Sequence, residues 1–350
     1  MYRPETVKET ILEPDLPIID PHHHLWDRPA PPADESLPRH SMDRMTVLNH
    51  CYLQPELLAD LTSGHKVIAT VYLEASSMYR ADGPEDAKSI GETEFVNGVA
   101  AMFASGRYGD IRAIAGIVGR VDLMLGDAAG PLLDAHMAVA PDRFRGVRNT
   151  VPWDADPAII GARWRQGANA YANPKFRAGF RHLAPRGLSF DAWLFEPQLP
   201  DVVSLAQAFP DTQIILDHVG TPLGIGAYVG RLEERFPIWR NSIKALAACP
   251  NVTVKVGGLA MPFLGFDTYM SETPAGSEQL AADWRPYVET CIEAFGVDRC
   301  MFESNFPVDL GACNYAVLWN AFKRIAAGAS AEEKTALFSG TARRVYRLSV

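Results

Sequence analysis

Short apolar runs alternate along this chain with longer stretches that are apolar on one side only. Eight runs are rich enough in β-branched and aromatic residues to read as strands: Ile18–Asp20, Val67–Leu73, Ile111–Val118, Phe144–Arg148, Leu188–Leu194, Gln213–Leu216, Val252–Val256 and Cys300–Phe302. Helical spacing is clearest in Glu92–Ser105, Leu199–Phe209, Trp284–Phe295 and Tyr315–Ala326. In the second of these, Leu199, Val202, Val203, Leu205, Ala206 and Phe209 form a one-sided stripe. Eight strands, each followed by a helix, predict an α/β fold of the (β/α)8 TIM-barrel type. We read residues 1–350 as one such domain, with 1–16 an N-terminal extension and 310–350 C-terminal helices. A doubly wound sheet is the rival arrangement. It usually carries a Gly-rich phosphate turn after an early strand, and the run Gly224 to Gly230 has the wrong spacing for one.

Four connections are long: Leu25–Gln54, Thr150–Pro174, Thr221–Pro237 and Leu259–Ala282. All follow strand C-terminal ends, where the loops of a barrel build its active face. Pro29, Pro31 and Pro32 stiffen the first, while Trp153, Trp164, Phe263, Phe266 and Tyr269 offer apolar cover to a site. The aromatic residues favour a ring or hydrophobic acyl group as substrate over a bare sugar.

Polar residues gather at the same strand ends. The first strand runs into Asp20-Pro21-His22-His23-His24. Alternation along a strand turns His22 and His24 to one face and His23 aside. Two imidazoles so placed begin a metal or proton-transfer site. Later strands contribute Glu74, Arg120 with Asp122, Arg148 with Asn149, Asp217 with His218, Lys255, and Glu303 with Asn305. Such groups at seven of eight strand ends fit a polar pocket on one rim. Each also has a structural reading: Glu74 as an ion-pair partner of Lys255 or an arginine, Arg148 as a strand cap, and Glu303 as a buried partner of Lys255 or Arg148. Asp217 either orients an imidazole or faces away. His40, His50, His65, His136 and His182 fall in loops or helices and are not expected in the site.

Composition narrows the class. The chain has 350 residues, 47% of them apolar and 21% charged, as in an ordinary globular protein. A net charge of −9 argues against a nucleic-acid or membrane surface. Five cysteines without a Cys-x-x-Cys pair predict no disulfide framework and no thiolate zinc site. There is no signal-peptide pattern, so a cytoplasmic location is expected. No Gly-x-Ser-x-Gly, His-Glu-x-x-His or Walker motif is present, which disfavours those chemistries.

The ordered set Ile-Asp-Pro-His-His-His-Leu-Trp-Asp, Phe144-Arg145-Gly146-Val147-Arg148, Leu216-Asp217-His218-Val219-Gly220, Val254-Lys255-Val256-Gly257-Gly258 and Met301 to Asp309 resembles the amidohydrolase superfamily. The likeness is to its branch of L-fuconolactonase-like and 2-pyrone-4,6-dicarboxylate lactonase-like proteins. It implies a TIM-barrel hydrolase of lactones or other carboxylic esters, acting on a small molecule and often paired as a homodimer. In metal-using relatives the residues matching His22, His24 and His218 join a divalent-ion site, zinc or manganese, and an Asp after strand eight binds the ion and activates water. The pyrone type works without a metal, with arginines holding carboxylates.

This sequence departs from that pattern at Asn305, which stands where the family carries the Asp. Asn149 stands where many relatives carry His, and Phe190-Asp191-Ala192-Trp193 lacks the strand-five His. Asn can ligate through its carbonyl but cannot accept a proton. Two mechanisms follow. In one, His22, His24 and His218 hold an ion, with Glu303 or Glu74 assisting, while Arg148 and Arg120 grip a substrate carboxylate. In the other there is no metal, and the histidines polarise the carbonyl while a carboxylate such as Glu303 activates water. Glu74 and Lys255 are the remaining expected substrate contacts. A metal-dependent decarboxylase of an aromatic acid, an amide hydrolase and a non-catalytic small-molecule binder are the alternatives.

Overall fold

A computed structural model describes residues 6–29, 49–160 and 167–350. Eight strands make one sheet: β1 (Ile18–His23), β2 (Val67–Leu73), β3 (Arg112–Gly119), β4 (Phe144–Arg148), β5 (Ser189–Ala192), β6 (Ile214–Leu216), β7 (Val252–Val256) and β8 (Cys300–Phe302). Each pairs in parallel with the next in chain order. A parallel bridge between His23 and Phe306 brings the first and last strands together. The result is a nearly closed barrel with helices between the strands: α1 (Gln54–Leu61), α2 (Ile90–Ala104), α3 (Ala129–Val139), α4 (Pro174–Phe180), α5 (Leu199–Ala208), α6 (Leu232–Ala247), α7 (Ser277–Phe295) and α8 (Tyr315–Ile325). This is the predicted (β/α)8 arrangement.

Strand parity divides the core into two layers. Ile18, Tyr72, Ile117, Val147, Phe190, Ala192, Ile214, Leu216, Val254 and Phe302 face outward and pack in the large cluster shared with the helices. Ile19, Ala69, Val71, Val118, Ile215 and Met301 face inward and form a separate cluster. The inner cluster is closed from below by a helix at Thr341–Val345 and the turn after it, through Ala342, Val345, Tyr346 and Leu348.

Two expectations need correcting. The connections Thr221–Pro237 and Leu259–Ala282 are shorter than expected, because α6 begins at Leu232 and α7 at Ser277. Pro237, the expected end of the third connection, lies inside α6, and Pro286 lies inside α7. Burial of Trp239 on α6, and of Leu280, Ala281 and Trp284 on α7, offsets the lost backbone hydrogen bond. The described part of the extension, residues 6–16, is also tied down. Glu9 accepts from the Ser277 amide (2.7 Å) and Asn320 Nδ2 (3.0 Å). Lys323 Nζ donates to the carbonyls of Leu12 and Glu13, both at 2.8 Å. All five cysteines are free thiols. Among the described residues no helix is long and apolar enough to cross a membrane.

Candidate active site

The register of β1 slips between Asp20 and His23. Asp20 organises this slip. It accepts from the His22 amide (3.3 Å), the Ser304 amide (3.0 Å), Ser304 Oγ (2.6 Å) and Tyr315 Oη (3.1 Å), joining β1 to the end of β8 and to α8. Burial pushes its carboxyl up to about 6 in spite of those donors. His22 and His24 then meet each other, Nε2 to Nε2, at 3.2 Å. His23 turns away to Thr70 Oγ1 at 2.8 Å.

Each of the three site imidazoles has its Nδ1 held by an acceptor. His24 Nδ1 lies 2.9 Å from the Leu73 carbonyl, which can only accept. Glu303, inward-facing at the end of β8, reaches two rings at once. Its Oε1 is 2.7 Å from His218 Nδ1 and its Oε2 is 2.8 Å from His22 Nδ1. The His218 amide also donates to Oε1 at 3.2 Å. Burial alone would raise the Glu303 carboxyl, but the imidazoles of His218 and His22 overcome this and leave it at about 2. An ionised Glu303 makes His218 Nδ1 a donor, so in a neutral His218 ring Nε2 is the bare nitrogen; at His22 the carboxylate shares Nδ1 with the Lys255 ammonium, 3.1 Å away. Burial, reinforced by Lys255 at His22 and by Arg148 at His24, holds both rings well below the usual imidazole range.

The backbone is shaped for this contact. His218, Val219 and Asn305 adopt left-handed φ values of 55°, 50° and 55°. A Cβ on Gly258, itself at φ +63°, would collide with the His218 ring, and one on Gly257 would collide with Glu303. The glycine pair after β7 is therefore what admits the acid–imidazole pair.

Around the rings lies a buried ion network. Arg148 donates from Nε to Glu74 Oε1 (2.9 Å) and from Nη2 to the Glu74 carbonyl (2.6 Å). Its Nη1 lies 3.3 Å from His22 Nε2 and 3.5 Å from Asp217 Oδ2. Lys255 Nζ lies 2.6 Å from Asp191 Oδ2, 3.1 Å from Asp217 Oδ1 and 3.1 Å from His22 Nδ1. Four carboxyl groups (Glu74, Asp191, Asp217, Glu303) thus face two cations, a formal excess of two negative charges. Asn305 Nδ2 donates to Asp309 Oδ1 at 2.7 Å, and the Asn305 amide donates to the His22 carbonyl at 2.9 Å. Burial raises the Asp309 carboxyl well above its ordinary value.

The structure therefore brings His22, His24, His218, Glu303, Asn305, Arg148, Glu74 and Lys255 together. Arg120 stands apart from this network. It is half-buried after β3, where its carbonyl accepts from Ser89 Oγ (2.8 Å) and its charge acts on Tyr79. His65, His136 and His182 bond elsewhere, to Ala316, Thr93 and Asp127. His40 and Trp164 lie outside the described residues. Sequence reasoning missed Tyr346, whose hydroxyl donates to Asp191 Oδ2 at 2.6 Å, and gave Asp191 and Asp309 no role. Inward parity between Phe190 and Ala192 is the signal that could have found Asp191; Tyr346 carries none.

Beyond the rings the mouth is apolar. Trp26, Ile159, Trp193, Phe195, Leu223, Met261, Phe263 and Val308 form one buried cluster. Trp26 stacks near His24, with centroids 6.0 Å apart, and Trp193 lies edge-on to His218 at 6.4 Å and under the Arg148 guanidinium at 5.9 Å.

Comparison with known proteins agrees with this geometry. Residues 19–348 match the Amidohydrolase family. The chain is 37% identical over 344 residues to the uncharacterized protein y4mH of Sinorhizobium fredii, covering 95% of this chain and 99% of that one. It is 30% identical over 335 residues to an L-fucono-1,5-lactonase of Burkholderia multivorans, covering 94% and 96%. The crystal structure of an amidohydrolase from Burkholderia multivorans with bound zinc superposes with a TM-score of 0.68 at 26% identity, covering 95% and 99%. The chain belongs to the amidohydrolase family, and it is a hydrolase of that superfamily.

Proposed function

We propose that this enzyme hydrolyses a lactone or related carboxylic ester, with one zinc or manganese ion held among His22, His24 and His218. One observation carries the proposal. His22 and His24 bring their Nε2 atoms to 3.2 Å, with the Leu73 carbonyl at His24 Nδ1 and Glu303 Oε2 2.8 Å from His22 Nδ1. Two imidazole nitrogens at that spacing suit shared ligation of one cation, and burial disfavours a proton as that cation on either ring. Tetrahedral bonds of about 2.05 Å place two ligand nitrogens about 3.3 Å apart, close to the spacing here. The excess of two negative charges in the surrounding network suits a dication.

When bound, such an ion supplies a Lewis acid for the carbonyl and brings the pKa of water to about 7, which removes the need for a carboxylate base at Asn305. The protein's own groups do the rest. Glu303 orients His218 from behind and faces His22, and a carboxyl held at about 2 by these imidazoles is a weak proton acceptor for water. Arg148, fixed by Glu74 and Asp217, holds Nη1 3.3 Å from His22 Nε2, beside the proposed ion, where a guanidinium would stabilise charge gathering on a carbonyl oxygen. Lys255 and Glu74 act through their partners and position the site rather than touch substrate. Trp193, Phe263 and Met261 give the rest of the substrate an apolar wall. A ring or acyl group with few hydroxyls suits that wall, because a hydroxyl left unpaired there costs about 1–3 kcal/mol. The five free thiols suit a reducing compartment such as the cytoplasm.

The test is metal analysis of protein purified without chelator, joined to a panel of lactones, esters and amides followed by pH change. We expect about one ion per chain, loss of turnover on chelation, recovery with zinc or manganese, and a preference for apolar lactones over sugar lactones. Turnover that persists without metal would overturn the ion site. Carbon dioxide release from aromatic acids, with lactones inert, would replace hydrolysis by decarboxylation.

A further inference from the structure

Inside the barrel a polar thread runs from the floor to the histidines. Tyr346, brought in by the segment that closes the inner cluster, donates to Asp191 Oδ2 at 2.6 Å. The same oxygen takes Lys255 Nζ at 2.6 Å, and Lys255 lies 3.1 Å from His22 Nδ1. The ammonium also sits 5.5 Å over the Tyr346 ring. Tyr346, Asp191, Lys255 and His22 are all fully buried, so each depends on its neighbours for polar partners.

His22 Nδ1 has two neighbours with opposite demands. Glu303 Oε2, at 2.8 Å, needs that nitrogen to carry the proton. Lys255, at 3.1 Å, can only donate, and needs it bare. The two arrangements select different tautomers. If Lys255 prevails, Nε2 carries the hydrogen, points it at His24, and cannot hold an ion. Drawing the ammonium toward Asp191 favours the other tautomer. Among the described residues Asp191 Oδ1 has no hydrogen-bond partner, and apart from Lys255 the Tyr346 hydroxyl is what fixes that carboxylate.

We propose that Tyr346 is a positioning residue for the histidine site: by anchoring Asp191 it keeps Lys255 closer to that carboxylate (2.6 Å) than to His22 Nδ1 (3.1 Å), limits the ammonium's hold on that nitrogen, and so favours a free His22 Nε2 for an ion. Its consequence for metal rests on the function proposed above. Tyr346→Phe removes one oxygen and keeps the ring in the floor. Zinc affinity, read by competition with a chromophoric chelator, is expected to fall by about tenfold or more, as for other losses behind a metal ligand. The melting temperature should move by only a few degrees. In ion-free protein, the ¹⁵N shifts of His22 should move toward the Nε2–H tautomer.

Leu348→Ala is the control. Leu348 packs in the same floor, beside Gly116, and its side chain has no group that could hydrogen-bond to the polar thread. It should lower stability and leave zinc affinity unchanged. The inference fails if Tyr346→Phe binds zinc like the wild type with unshifted His22 nitrogens. It fails equally if both variants lose affinity in step with stability. Should the wild type bind no zinc, the ion site itself is lost, and the His22 shifts still decide whether Tyr346 sets the tautomer.

Discussion

Glu303 does at the scale of one residue what its neighbours cannot: its two oxygens face different imidazoles, Oε1 accepting from His218 Nδ1 and Oε2 lying 2.8 Å from His22 Nδ1. Glu303→Gln puts an amide donor against one of those rings and forces it into the opposite tautomer. We expect zinc affinity to fall about 10–100-fold with the fold retained, measured by chelator competition and far-UV circular dichroism. Asn305 is legible in the sequence as a departure, but its reason is visible only in space. It donates to Asp309, and an aspartate there would set two buried carboxyl groups 2.7 Å apart. Asn305→Asp should therefore cost about 1–3 kcal/mol of stability at pH 8. Asn305→Asp combined with Asp309→Asn should recover most of it, because the donor and acceptor simply exchange places. Additive losses in a denaturant double-mutant cycle would refute the pairing. His22, His24 and His218 could be read in advance because strand parity and position at a strand end are local properties. The partners of Lys255 could not, since Asp191 and Tyr346 meet only through barrel closure across 155 residues.

Among the elements, all eight strands were legible, for parity is written in each run: outward Phe190 and Ala192 bracket inward Asp191, and outward Cys300 and Phe302 bracket inward Met301. Helix starts were less so, because Pro237 looks like a boundary and lies inside α6. The turn after β2 shows how a helix holds a loop. Glu92 of α2 accepts on one oxygen from Tyr72 Oη (2.9 Å) and from the amides of Ala75 (2.8 Å) and Ser77 (3.0 Å). Burial, then the charge of Glu74, raises its carboxyl to about 7. A carboxyl raised on folding favours the folded state fully below its unfolded value of about 4.3, and that advantage is lost as pH rises through 7. Gln keeps the accepting oxygen and never ionises. Glu92→Gln should thus match the wild type in stability at pH 5 and exceed it at pH 8, by urea midpoints at the two pH values.

Over the whole molecule, the barrel is bound at both ends of its chain path. Residues 6–16 strap across α7 and α8, and residues 341–348 fill the floor. The strap hangs on Lys323, whose ammonium holds two carbonyls and which burial lowers to about 8. Lys323→Met should release the strap. Limited proteolysis is expected to cut within residues 6–16 sooner than in the wild type, with turnover unchanged; equal resistance would show that Glu9 suffices.

The floor has a consequence for biosynthesis. A ribosome delivers His22 early, Glu303 much later, and Tyr346 later still. Until that tyrosine threads upward, Asp191 lacks the hydroxyl that ties it to the floor, and Lys255 lacks a fixed carboxylate. On the reading proposed above, the histidine cluster is completed only once the barrel has shut.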